Sequence, residues 1–200
     1  MDELWIKFWN SFWKMCYLEF QNVSFIYFLI FSLIGACVVH IGCMIYVRVR
    51  KKTIFISTEL MFILLISYFF FILQGTLLGR AAGSQPRVLD TKWLWFNNTM
   101  DQNMTNLLNI ILFLPLGALL TGVQKYEKVM KRTVMVVNYC FLISLLIESM
   151  QYMSKRGYFE IDDIESNIIG GLFGSIFVNL FSKIGRLINK NRRSEDEERT

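Results

Sequence analysis

The sequence predicts an all-α protein, a polytopic transmembrane helical bundle of about five spanning helices with an N-terminal amphipathic helix lying in the membrane interface. Three observations carry this prediction. Hydrophobic residues make up 54% of the chain, with 18 Phe and only 2 Pro in 200 residues, and the mean hydropathy is +0.41, well above a typical soluble domain. Five apolar runs are long enough for a helix rising ~1.5 Å per residue to cross ~30 Å of hydrocarbon. Basic residues cluster in the short links between these runs.

Residues 1–22 open with Asp2 and Glu3 and are interrupted by Lys7, Asn10, Lys14 and Glu19, unlike a cleavable signal peptide, which has a basic start and an unbroken apolar core. Trp5, Phe8, Trp9 and Phe12 recur at helical spacing, with Trp13 beside them, as in an amphipathic helix at the headgroup layer. Residues 23–78 hold two crossings, Val23 to Val47 and Thr53 to Leu78, joined by Arg48, Arg50, Lys51 and Lys52. The hydrophilic loop 79–104 carries Gly83, Ser84, Pro86 and the interfacial aromatics Trp93, Trp95 and Phe96. Residues 105–181 hold three more crossings, Thr105 to Val123, Thr133 to Met153 and Ile164 to Phe181. Pro115 withdraws a hydrogen bond from the Ile111 carbonyl and is expected to bend or interrupt the first of these. Residues 182–200 form a charged tail whose mixed-charge run, Arg192 to Arg199, reads as a solvated, poorly ordered end.

The formal charge of +5 is divided among these connections and forms no continuous basic surface, so no nucleic-acid partner is expected; the lipid bilayer is the primary one. Cys16, Cys37, Cys43 and Cys140 show no metal or redox spacing and imply neither zinc nor disulfides. No metal and no cofactor is expected. Along the alternating path, one face of the membrane collects 14 Lys and Arg and the other 7. This bias predicts a multi-pass membrane protein with its C-terminus in the cytoplasm and the loops 79–104 and 154–163 outside.

Polar residues inside spanning helices are costly and ask for a partner or a purpose. Glu148 lies near the outer end of the fourth crossing, and Gln151 shares its face. Asp163, Asn167, Gly170 and Gly174 follow at spacings of four, three and four on one stripe of the fifth crossing. Asp162 with Glu165 reads as an N-cap and a capping-box partner, and Gly170 with Gly174 as a close helix contact. Asn106 and Asn109 sit near the outer end of the third crossing, so their amides can meet the Glu148 and Asp163 carboxyls; amides serving only as glue between helices are the alternative. His40 is alone in the first crossing near no acidic residue and reads as a packing residue rather than a proton relay, and Glu59 as one that reaches to the interface.

These residues fall into an ordered set: Asn106-x-x-Asn109-x-x-x-Phe113-x-Pro115-x-Gly117, then Glu148-x-x-Gln151, then Ile161-Asp162-Asp163-Ile164 with Asn167, Gly170 and Gly174. In this the region 105–181 resembles the VanZ-like family of bacterial membrane proteins, named for a teicoplanin-resistance protein. The resemblance implies a multi-helix membrane protein of the cell envelope. The leading reading, from the convergence of the intramembrane polar residues on the outer leaflet, is an outward pocket of Asn106, Asn109, Glu148, Gln151, Arg156, Asp163 and Asn167, with Pro115, Gly117, Gly170 and Gly174 packing helices around it. The ligand would be a cell-wall precursor, a lipid-linked component or a glycopeptide, recognised or modified at the outer leaflet to give glycopeptide tolerance. Two other readings remain open. One is an intramembrane enzyme with Glu148 and Asp163 as acid and base or as ligands to a hard cation, although the chain lacks the common nucleophile signatures; the other is a structural membrane partner without its own ligand.

Overall fold

A computed structural model describes residues 2–51, 53–91, 99–124 and 128–198; Trp93, Trp95, Phe96 and Lys125 lie outside them. The described residues form helices α1 (Asp2–Phe20), α2 (Phe25–Arg50), α3 (Ile56–Leu73), α4 (Met100–Val123), α5 (Val129–Ser154) and α6 (Ile161–Glu198). A π-helical turn, Gln74–Leu78, follows α3, and two short strands, β1 (Leu89–Asp90) and β2 (Phe159–Glu160), complete the elements. Five segments are long and apolar enough to cross a membrane: Phe25–Arg50, Ile56–Leu78, Met100–Val123, Val129–Ser154 and Ile161–Arg186.

Several boundaries differ from those expected of the sequence, for local reasons. Helix α4 begins at Met100, five residues before the apolar run, because Thr99 and Gln102 form a capping box: Thr99 Oγ1 accepts from the Gln102 N–H and Gln102 Oε1 accepts from the Thr99 N–H at 2.9 Å. It runs uninterrupted through Pro115. Near that turn the Tyr68 hydroxyl of α3 donates to the Leu112 carbonyl, the one after the Ile111 carbonyl that proline leaves open, at 2.7 Å. Helix α6 starts at Ile161, so Asp162 falls in its first turn and Glu160, not Asp162, precedes the helix. At its other end α6 continues to Glu198, so the charged run from Arg192 to Glu198 is helical rather than irregular; Arg, Glu and Lys are strong helix formers.

The apolar core is built on α4 and α5, around Leu112, Phe113, Leu116, Val136, Cys140 and Ile147, with Ile72 of α3 joining it, and α6 packs against both α4 and α5. Glycine lets α4 and α6 touch backbone to backbone. A β-carbon at Gly174 would fall on the Leu114 carbonyl, one at Gly170 on the Ile110 carbonyl, and one at Gly117 on Gly171. Gly171 in turn admits the Cys140 sulfur of α5. Small residues at such crossings are how membrane helices gain contact where burial of apolar surface gives little advantage.

Helices α2 and α3 form an antiparallel hairpin on one side of this core, joined by stacked Phe31 and Phe70. The hairpin brings His40 Nδ1 within 2.6 Å of Glu59 Oε1, so His40 is not without an acidic neighbour. The two residues are 19 apart in sequence, and only the hairpin joins them.

The end of the bundle carrying the π turn, the start of α4 and the α5–α6 turn is closed by three devices. Helix α1 lies against it through Ser11 and Lys14, which both bond the Asp101 carboxyl, and through an ion pair of 2.7 Å between Glu19 and Arg80. Its aromatic residues Trp5, Trp13 and Tyr17 remain exposed, and Trp5 stacks on Phe8 and Trp9 on Trp13. Strands β1 and β2 pair in parallel, Leu89 with Phe159 and Asp90 with Glu160. Backbone bonds from Gly83 to Ser154 and from Gln85 to Lys155 fasten the preceding loop to the end of α5. At the opposite end Arg132 and Thr133 of α5 bond Asn179 and Ser175 of α6.

Candidate functional site

Next to α1, at the closed end of the bundle, lies a cavity of about 20 Å³ lined by polar groups from five elements. Asn109 comes from α4, Glu148 and Gln151 from α5, Asp163 and Asn167 from α6, Thr76 from the π turn, and Glu19 from α1, with Arg80 just beyond the π turn. The volume is room for a single water-sized group.

Glu148 is buried, with 2% of its surface exposed. Its Oε2 accepts the Glu160 N–H at 3.1 Å, so the carboxyl of α5 holds the entry to α6. Gln151, also buried, donates from Nε2 to the Thr76 carbonyl at 2.7 Å. A π turn leaves carbonyls without their usual α-helical partners, and Gln151 answers one of them. Asn167 donates from Nδ2 to the Ser144 hydroxyl of α5 at 2.8 Å, while its Oδ1 has no hydrogen-bond partner. Asn109 Nδ2 is likewise buried without a partner. A donor and an acceptor thus stand unused in one small cavity, where an unmatched polar group costs about 1–3 kcal/mol.

Two of the residues singled out from sequence do not line the cavity. Asn106 is 1% exposed and packs on the Asp162 carboxyl. Arg156 turns away: its guanidinium donates to the carbonyl of Leu77 at 2.9 Å, and its backbone N–H bonds the Gln151 carbonyl. Arg156 therefore fastens the α5–α6 turn to the π turn. The cation that lines the cavity is Arg80, which sequence reasoning missed together with its partner Glu19.

The electrostatics are dominated by carboxyl groups. Glu148, Glu160, Asp162 and Glu19 all act on Asp163, and Arg80 acts on Glu148 from the opposite sign. Outside the membrane span, burial first and then the charges of Asp162 and Asp90 push Glu160 above the ordinary carboxyl range. Among the described residues no group of three or more His, Cys, Asp or Glu side chains is placed to share a metal ion.

Gly157 closes the site from the α5–α6 turn, where a β-carbon would lie 3.1 Å from both the Arg80 guanidinium and the Gln151 amide oxygen. Asn109, Glu148, Gln151, Asp163 and Asn167 all fall within residues 83–182, which match the family model VanZ/LLP1. The chain belongs to the VanZ/LLP1 family. No curated protein and no solved structure matches it. The VanZ/LLP1 segment begins in the loop before β1 and ends in α6, so Glu19, Phe20, Gly75, Thr76 and Arg80 complete the cavity from outside the family region.

Proposed function

We propose that this VanZ/LLP1-family membrane protein acts in the bacterial cell envelope, recognising or modifying a polar group of a cell-wall or lipid-linked component at the outer leaflet. Glycopeptide tolerance, teicoplanin above all, is its physiological outcome. One observation carries the reading: five elements distant in sequence converge on a single cavity in which Asn109 Nδ2 and Asn167 Oδ1 have no partner. The excess of Lys and Arg at the opposite ends of the crossings supports an outward cavity, and α1 is the wall whose displacement would admit a larger ligand.

Glu148→Gln and Asp163→Asn test this. The amide that Glu148→Gln introduces keeps an oxygen to accept the Glu160 N–H, so the entry to α6 is preserved while the carboxyl is lost. In a susceptible host, the wild-type chain raises the teicoplanin concentration needed to stop growth, and both variants at equal abundance lose that effect. Equal protection by wild type and variants would remove the site from the account; no protection by the wild-type chain would remove glycopeptide tolerance.

The size of the cavity favours a second reading, general acid-base chemistry on one water or hydroxyl held between Glu148 and Asp163. Incubation of the purified chain with lipid-linked wall precursors would then yield a product by mass spectrometry. Unchanged precursors with and without divalent metal would leave recognition as the activity.

A further inference from the structure

The polar cavity borders an apolar groove, and Phe20 belongs to both walls. The groove measures about 720 Å³ and is lined by Phe20, Phe25, Phe28, Leu64, Tyr68 and Phe71, among others, a volume typical of sites for small amphiphilic molecules. Tyr68 adds little polarity, because its hydroxyl is already bonded to the Leu112 carbonyl. Phe71 and Leu64 are two turns apart on α3, so the groove runs roughly 10 Å along the bundle axis, away from the polar end. Polar above and apolar below is the orientation of a lipid in the leaflet whose headgroups lie at the cavity.

The cavity restricts the head. It has space for one water-sized group, and it offers the carboxyl oxygens of Glu148 and Asp163 together with the partnerless Oδ1 of Asn167, which is 4% exposed. A primary ammonium is that size and presents three N–H donors. A trimethylammonium carries the same charge but has no donor and is too large. An anionic group in its place would face carboxyls, and Arg80, the one cation among the described residues lining the cavity, is held by Glu19 at 2.7 Å, so that a phosphate attached to the amine would share it with that carboxylate.

We propose that cavity and groove form one binding site for a phospholipid ending in a primary amine, its ammonium among Glu148, Asp163 and Asn167 and one acyl chain in the groove behind Phe20. The proposal rests on the reading of the cavity as a recognition site and names the chemistry recognised.

The test compares phosphatidylethanolamine with phosphatidylcholine of identical chains, offered in equal amounts to the purified full chain and read as retained lipid by native mass spectrometry. Charge-assisted hydrogen bonds lost on methylation predict about tenfold preference for the ethanolamine lipid. Glu148→Gln and Asp163→Asn bring the ratio toward one, and Leu64→Trp, which fills the groove, lowers retention of both lipids without changing it. Equal retention of the two lipids by the wild-type chain would mean bulk lipid in the groove and would overturn the proposal. So would a preference that survives both carboxyl variants, or retention indifferent to Leu64→Trp. A ratio near one with tolerance still lost in Glu148→Gln refutes the lipid while leaving the proposed function; a tenfold ratio with tolerance unaffected does the reverse.

Discussion

Among the described residues the spans Phe25–Arg50 and Ile56–Leu78 are the most hydrophobic, with mean hydropathies of 2.4 and 2.2, yet only 6% of the apolar 18-residue stretch of each is buried within the protein. Helices α4, α5 and α6 are less hydrophobic, at 1.9, 1.8 and 1.5, and bury 44%, 28% and 28%. The ranking is the reverse of that in a soluble protein. Lipid is as apolar as leucine, so hydropathy marks the surface that faces lipid, while glycine and polar side chains mark the surface that faces protein. The family match falls on the second group. Helix α1 and the π turn that follows α3 supply the remaining walls of the cavity.

The comparison is sharpest at glycine. Gly174→Leu puts a side chain into the Leu114 carbonyl, a backbone atom that cannot step aside, and is expected to cost at least about 2 kcal/mol. A β-carbon at Gly42 of α2 would meet nothing within 4 Å, so Gly42→Ala is expected to stay within about 1 kcal/mol of wild type. Thermal unfolding in detergent distinguishes them. Equal losses at both sites would mean that the hairpin is packed as tightly as the core.

A smaller effect probes the contact between the two regions. Glu19 and Arg80 are each partly buried, and a double-mutant cycle with Glu19→Gln and Arg80→Met should give a coupling of about 1 kcal/mol. The more exposed Lys14–Asp101 pair should couple less. A reversed order would detach the end of α1 from the cavity.

The smallest effect is in pH. Glu160 titrates above its ordinary value of 4.5 in the folded chain because of burial and the neighbouring Asp162 and Asp90 charges. The folded state therefore holds this proton more tightly than the unfolded state. The associated stability is fully present below the unfolded value and is lost as pH rises through the folded one. Glu160→Gln should flatten the fall in melting temperature above pH 4.5; an unchanged slope would assign it to other groups.

The five spans were legible because each apolar run matches the bilayer in length. Asn109, Glu148, Gln151, Asp163 and Asn167 stood out because polar side chains interrupt those runs at helical spacing. Glu19 and Arg80 did not, since both lie in hydrophilic segments where charge is ordinary and their pairing spans 61 residues. Arg156 belongs to a turn rich in charge, and nothing in its neighbours distinguishes a side chain in the cavity from one on a π-turn carbonyl. The π turn has no residue signature, and strands of two residues are too short for alternation to appear.

Whether the cavity faces outward is the claim on which the functional account stands, and single-cysteine labelling on intact cells tests it most directly. In a variant lacking Cys16, Cys37, Cys43 and Cys140, cysteines at Glu3 of α1 and at Ser84 in the loop fastened to the end of α5, both exposed, should react with an impermeant maleimide. A cysteine at Lys128, exposed in the link between α4 and α5, should react only after the membrane is opened. Labelling of Lys128→Cys with protection of Glu3→Cys and Ser84→Cys would turn the cavity toward the cytoplasm and contradict a role at the outer leaflet.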